Sequence, residues 1–406
     1  MKLMFFIRKL QKEIISPWVA LPLVYLLFLA LAFISYEIPN TSKFLLQPSG
    51  SFKTNPSLIS YLISLIGIFI LFLAAIFGGR INIMRKTPVI FLIFFFSILS
   101  LKLAFSIGLI YIVPASLGYI VLLWYISKRL NNLKILALLA GVLAVISSMV
   151  ILFKGIPIFE STIRESTAVT PARALFHGFA TVSAALFIVS YSKKFAFPAI
   201  IILVFLGVLS GFKSDSVAIL ISAVIAGILV KRISLKETLL AVLFVLLILT
   251  FLSNFIAVSA YGAWEISPLL YIFYRAGFTL GVFSNIVDMS MPFGLLKGNA
   301  ILSISQEIIS IEVLDYQTPH IITSTFLGPW MLDFGILGVI FVSLLLGLYI
   351  GALYKSANTK TQFALYSVAL THSFILVEVG LQLTSIIFFL SILYLTIGSN
   401  ELEGPT

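Results

Sequence analysis

Cysteine is absent from this chain of 406 residues, which excludes disulfides, iron–sulfur clusters, zinc–thiolate sites and a cysteine nucleophile. Histidine is nearly as scarce, with His177, His320 and His372 the only three, so a histidine-rich metal site is not expected. Charge is also in short supply. Only 10% of residues are charged, 61% are hydrophobic and the mean hydropathy is +1.16, whereas soluble domains hold about 25% charged residues. No P-loop, HExxH, GxSxG or outer-loop DxD pair is present, which sets aside ATP hydrolysis and zinc proteolysis. The net charge of +11 would suggest nucleic acid if it clustered on a soluble surface. Here the basic residues sit between apolar runs, so membrane topology accounts for them and no nucleic-acid partner is expected.

What the chain does have is apolar length. A water-soluble fold of this composition would leave long apolar faces exposed. At roughly 20 residues per spanning helix the ceiling is about twelve spans. The expected fold is an all-α polytopic membrane protein, a single integral membrane domain over 1–406, with about 12 transmembrane helices and a long, partly helical outer loop. Apolar runs bounded by charge put the spans at 17–36, 58–78, 88–105, 109–127, 134–153, 172–190, 195–210, 216–230, 238–257, 326–354, 361–379 and 381–398. The start, MKLMFFIRKLQKEIISPW, lacks a small-residue cleavage site and reads as a retained cytoplasmic amphipathic segment.

Basic residues set the orientation. With the N-terminus in the cytoplasm, the inner side collects Lys2, Arg8, Lys9 and Lys12; Arg80, Arg85 and Lys86; Lys128, Arg129 and Lys134. It also collects Lys193 and Lys194; Lys231, Arg232 and Lys236; Lys355 and Lys360. That is most of the 26 basic residues, as the positive-inside rule requires, and it returns the C-terminus to the cytoplasm. Inner loops are short connectors. The outer side holds the informative elements: the loop 154–171, a helix break GFKSDS at about 210–216, and the long segment 258–325.

Ionisable groups at membrane depth cost about 2.5–3.5 kcal/mol each on insertion scales and so face protein or a wet cavity. Asp333, in FLGPWMLDFGILGVIF, therefore lines something or pairs structurally near the interface. In the break, Ser210 and Gly211 can end one helix, and Ser214 or Asp215 can cap the next. Lys213 beside that helix N-terminus favours an anion such as phosphate, or forms a local ion pair with Asp215. Thr170 and Pro171 form an N-cap and first-turn pair, which puts Arg173 and His177 at i and i+4. Glu160 and Arg164 have the same spacing if the outer loop coils. Arg164 and Arg173 read as anion ligands or as solvated interface anchors.

Ser267 and Pro268 open another helical pattern, placing Tyr271, Arg275 and Phe278 on one face. An aromatic-flanked arginine suits a sugar or phosphate, though an interfacial belt has the same pattern. In TPHIITSTFLGPWMLDFGILG, residues 318–338, His320 has Thr323 and Ser324 at i+3 and i+4. A neutral imidazole there can accept a proton from an attacking hydroxyl, or be structural. His372, assigned to the inner half of an apolar helix, reads as a packing or hydrogen-bonding residue.

Four of these features together resemble the Wzy-type oligosaccharide repeat-unit (O-antigen) polymerases and the related O-antigen ligases, polytopic glycosyltransferases of the GT-C type. They are GIPIF at 155–159, SGFKSDSVAILI at 210–221, the long outer segment, and the His320 run with its following acid and GxxG helix. Lys213 stands where the family often has arginine, and Ile-Ile follows His320 where ligases have a polar pair.

The resemblance implies a metal-independent, inverting glycosyl transfer at the outer face, with no cofactor and no nucleotide sugar. The substrate it implies is a polyprenyl-diphosphate-linked oligosaccharide. Arg164, Arg173, Lys213 and Arg275, with His177 and Asp215, would bind the diphosphate, and His320 would act as base with Asp333 orienting it or replacing it. Membrane lipids and a chain-length regulator protein are the implied partners, and the plasma (inner) membrane of a prokaryote is the implied location. The alternatives are an O-antigen-ligase-like glycan transferase, a secondary transporter or flippase for a lipid-linked or anionic substrate, and a non-catalytic scaffold.

Overall fold

The computed structural model describes residues 13–45, 55–81, 132–168, 170–261, 266–303 and 322–398, with 90–91, 126 and 309 as isolated positions. Every regular element among the described residues is helical. The helices are α1 (Pro17–Glu37), α2 (Pro39–Leu45), α3 (Leu58–Gly78), α4 (Leu133–Leu152), α5 (Ser161–Ala168), α6 (Pro171–Ser190), α7 (Lys193–Leu209) and α8 (Lys213–Leu229). There follow α9 (Leu235–Leu247), which runs through a π-helical turn at Ile248–Leu252 into α10 (Ser253–Tyr261), then α11 (Tyr271–Ser290), α12 (Gly328–Ser356), α13 (Lys360–Ile375) and α14 (Leu383–Gly398).

Among the described residues, six stretches are long and apolar enough to cross a membrane: Pro17–Glu37, Leu58–Gly78, Leu133–Leu152, Pro171–Ser190, Leu235–Ile256 and Gly328–Ser356. The expected spans 88–105 and 109–127 lie almost wholly outside the described residues. Those expected at 195–210, 216–230, 361–379 and 381–398 are helices of 17, 17, 16 and 16 residues. Exposed leucine, isoleucine and phenylalanine cover the outward faces of α1, α3, α4 and α9, and α9 buries none of its residues. Such faces suit a hydrocarbon solvent.

Local chemistry fixes the helix starts. Ser57 accepts the Ser60 N–H and Asn132 the Ile135 N–H, at 3.3 Å each. Ser234 with Glu237, and Thr359 with Gln362, form reciprocal capping boxes.

The helices pack in two groups. In one, α4, α6, α7 and α8 lie together; in the other, α1, α3, α11 and α12. Helix α13 contacts α6 and α8 on one side and α1 and α12 on the other. Two long-range bonds fix it against the N-terminal part of the chain: Tyr25 Oη donates to Ser373 O (2.9 Å) and Tyr366 Oη to Ile15 O (2.7 Å).

Helix α11 is the helical part of the segment 258–325, and from Ala276 to Ser290 most of its residues are buried, packed against α1 and α12. Its first residue is Tyr271, one turn beyond the Ser267–Pro268 pair, and the Tyr271 N–H bonds to Ser267 O (3.1 Å).

Candidate functional site

Four helix ends meet where the two groups adjoin: the N-termini of α6, α8 and α11 and the C-terminus of α13. Charged and imidazole side chains from all four gather there. Thr170 precedes α6 and Pro171 opens it, so Arg173 and His177 lie one turn apart on the same face. Between α7 and α8 the chain reverses in three residues. Ser210 closes α7, and Gly211 takes φ +73°, a left-handed conformation that favours glycine. A Cβ at Gly211 would lie 3.1 Å from the Pro157 carbonyl carbon. The GIPIF segment and the GFKSDS break, 50 residues apart in sequence, are therefore in contact.

Helix α8 starts at Lys213, so Asp215 occupies its first turn and does not cap it. The Asp215 side chain is fully buried. His177 Nδ1 lies 2.8 Å from its Oδ1, and Arg173 Nη2 lies 3.8 Å from the same oxygen. With an arginine this close, Asp215 is a carboxylate and can only accept, so His177 Nδ1 carries a proton, and in the neutral ring Nε2 is the atom with the lone pair. Arg173 also stacks over Phe212, 3.7 Å from the ring centroid, and donates from Nη1 to Ala168 O (3.0 Å).

Helix α13 brings His372 against His177, with ring centroids 4.8 Å apart in an edge-to-face arrangement. His372 lies in the last turn of α13, at the clustered end. Its Nδ1 bonds to Val368 O at 3.0 Å, and since a carbonyl can only accept, this ring too is protonated at Nδ1. Just past α13, Glu378 pairs with Arg275 Nε, and Arg275 Nη2 donates to Thr323 Oγ1 (2.6 Å). Lys213 interacts electrostatically with Glu378 and lies 4.9 Å from the Tyr271 ring centroid. Arg173, His177, Asp215 and His372 thus form one connected group, and Arg275, Glu378 and Lys213 a second, with the consecutive residues Phe212, under Arg173, and Lys213, by Tyr271, standing between them.

Arg164, on α5, is part-buried, and its Nη1 is a buried donor without a hydrogen-bond partner among the described residues; Arg173 Nε is another. Asp333 stands elsewhere in the fold. Its Oδ1 accepts the Ala300 N–H (3.0 Å) and its Oδ2 the Ile301 N–H (2.8 Å). These bonds fasten the segment 291–303 to a kink in α12, where Gly335 has φ +60° and ψ −141° and Ile336 N bonds to Pro292 O at 3.1 Å. His320 lies outside the described residues. The described chain resumes at Ile322, and Thr323 at once reaches Arg275.

Sequence reasoning missed Glu378 and the position of His372. Glu378 carried a signal, an acid at the end of an apolar run, but nothing in its neighbours names an arginine 103 positions away.

The sequence of the family described as "Putative O-antigen polymerase" matches residues 55–390. The chain belongs to the O-antigen polymerase family. The match takes in α3 to α13 and the whole polar cluster. An uncharacterized protein of Methanocaldococcus jannaschii is 29% identical over 219 residues, which is 54% of this chain and 53% of that protein. The chain thus spans about half the length of the curated relative it matches. No solved structure matches it. Family membership and the apolar helices together make this O-antigen polymerase family member a multi-pass membrane protein of polysaccharide biosynthesis.

Proposed function

We propose that the protein is a glycosyltransferase that polymerises polyprenyl-diphosphate-linked oligosaccharide repeat units, with the polar cluster at the outer face of the membrane as its active centre. The reaction is an inverting, metal-independent displacement at the anomeric carbon of the donor. A hydroxyl of a second lipid-linked glycan attacks, and the polyprenyl diphosphate leaves.

The observation that carries this reading is the convergence of Arg173, Lys213 and Arg275 on one seam, with Arg173 Nε buried and lacking a partner among the described residues. An unpaired buried guanidinium donor costs about 1–3 kcal/mol. A diphosphate would satisfy it, and fixed cations would stabilise the charge that develops on the leaving oxygen. Arg164 Nη1 is a second donor in the same condition. Glu378 holds Arg275 and interacts electrostatically with Lys213, and an anionic substrate would compete with it for these two cations.

The test is to incubate the full chain in lipid with polyprenyl-diphosphate-linked oligosaccharide, without nucleotide or metal, and to follow products by mass spectrometry. Products spaced by whole repeat units, with free polyprenyl diphosphate released, are expected. A single transfer to another acceptor would replace polymerase by ligase. Translocation without covalent change would replace both by a transporter.

A further inference from the structure

We infer that His177, oriented by the buried carboxylate of Asp215, is the base that takes the proton from the attacking hydroxyl. This rests on the glycosyl-transfer reading above. Any such displacement forms a bond from the acceptor oxygen to the anomeric carbon and breaks the bond from that carbon to the diphosphate oxygen. The electron pair leaves on the diphosphate. The hydroxyl proton must go to a group with a free lone pair within hydrogen-bond reach.

His177 Nε2 meets this requirement. Its Nδ1 proton is committed to Asp215 at 2.8 Å, which fixes the tautomer and the ring orientation. The side chain of His177 is 20% exposed and that of Asp215 is 0% exposed, so the ring has an open edge while its orienting carboxylate is sealed. When Nε2 takes the proton, the resulting imidazolium faces an anion already in contact. The proton then passes to water, and the ring returns to its starting form.

Two further features single out this ring. Arg173 lies four residues before it on the same helix, a rise of about 6 Å at 1.5 Å per residue. In an in-line displacement the leaving and attacking oxygens lie on opposite sides of one carbon. A cation on the first and a base on the second, one turn apart, match that geometry. His372 presents an Nε2 as well, yet its Nδ1 is bound to a backbone carbonyl, which supplies no counter-charge to a protonated ring. Asp215 is thus a positioning residue.

The test compares wild type, His177→Gln, Asp215→Asn and His320→Gln in nanodiscs, with kcat and KM measured on the lipid-linked donor across pH. The charged and titratable groups facing His177 among the described residues are Arg173 on its own helix, Asp215 from α8 and His372 from α13. A lone base accounts for about 10²–10⁴-fold in rate. His177→Gln is expected to lose kcat on that scale, to keep KM within a few-fold, and to lose the acidic limb of the wild-type kcat profile. Asp215→Asn is expected to lower kcat and to move that limb. The inference is overturned if His177→Gln keeps kcat within about threefold of wild type, or if the acidic limb disappears in His320→Gln and persists in His177→Gln. Wild type that makes no product fails the glycosyl-transfer reading itself, and this inference falls with it. If His177→Gln does not remain monodisperse, Asp215→Glu replaces it: a shifted acidic limb supports the dyad and an unchanged one overturns it.

Discussion

Asp215 and Asp333 are both buried acids in the early turns of apolar helices, and their surroundings differ in kind. Asp215 meets side chains: an imidazole on α6 and a guanidinium one turn away. Asp333 meets the main chain, accepting from two consecutive backbone N–H groups of a turn that closes over a kink. A carboxylate held by side chains can hand its influence to a neighbour that binds or loses a proton. A carboxylate that accepts from two consecutive backbone N–H groups fastens two segments of chain. The contrast separates the proposed site from a joint that fastens the chain.

Substitutions can break or sharpen that contrast. The largest effect is expected from Arg173→Gln, which removes a cation from the leaving-group side. It should lower kcat/KM by about 10²–10³-fold, the usual cost of one donor to a developing oxyanion, as measured with the lipid-linked donor. Next is Asp333→Asn, which keeps the shape but sets an amide N–H₂ against a backbone N–H. It should destabilise the fold by about 2–3 kcal/mol, read as a lowered Tm in detergent, whereas Asp215→Asn should lower Tm less and turnover more. Equal Tm losses for the two asparagine variants would abolish the distinction.

Thr323→Val should follow, since it removes the hydroxyl that accepts from Arg275. A hydrogen bond to a charged group is worth about 1.5–3 kcal/mol, so donor KM should rise by roughly tenfold. The smallest effect is expected from Lys193→Ala at the far end of the bundle. Its ion pair with Glu237 is solvent-accessible, with Lys193 43% exposed, and such pairs contribute under about 1 kcal/mol. Tm should scarcely move.

Much of the frame was legible along the chain. The apolar runs around α1, α3, α4, α6 and α12 announce helices, and the Thr170–Pro171 pair predicts where α6 begins and hence that Arg173 and His177 share a face. The break at Ser210 and Gly211 was equally visible. What the sequence withheld depends on distant neighbours. Asp215 reads as a cap or as the partner of Lys213 because both options are local, while its real partners come from another helix. Glu378 and His372 join the cluster only because α13 lies between the two helix groups. Helix α11 was legible as a helix from Ser267 and Pro268 onward, but its burial was not, because Arg275, Asn285 and Asp288 interrupt its apolar pattern. Asp333 read as lining something or as pairing structurally, and its backbone partners could not be named because N–H groups have no signature in sequence.

The contact between Gly211 and Pro157 has a consequence for how the protein can change over time. Because the loop that leads into α5 rests on the backbone at the break, the two segments cannot drift independently. A residue inserted near Pro157 would press on the turn that sets Lys213 and Asp215, and any side chain at 211 would push the loop away. Variation in the loop is therefore confined to substitutions that preserve its path over residue 211, however freely its outward-facing side chains are exchanged.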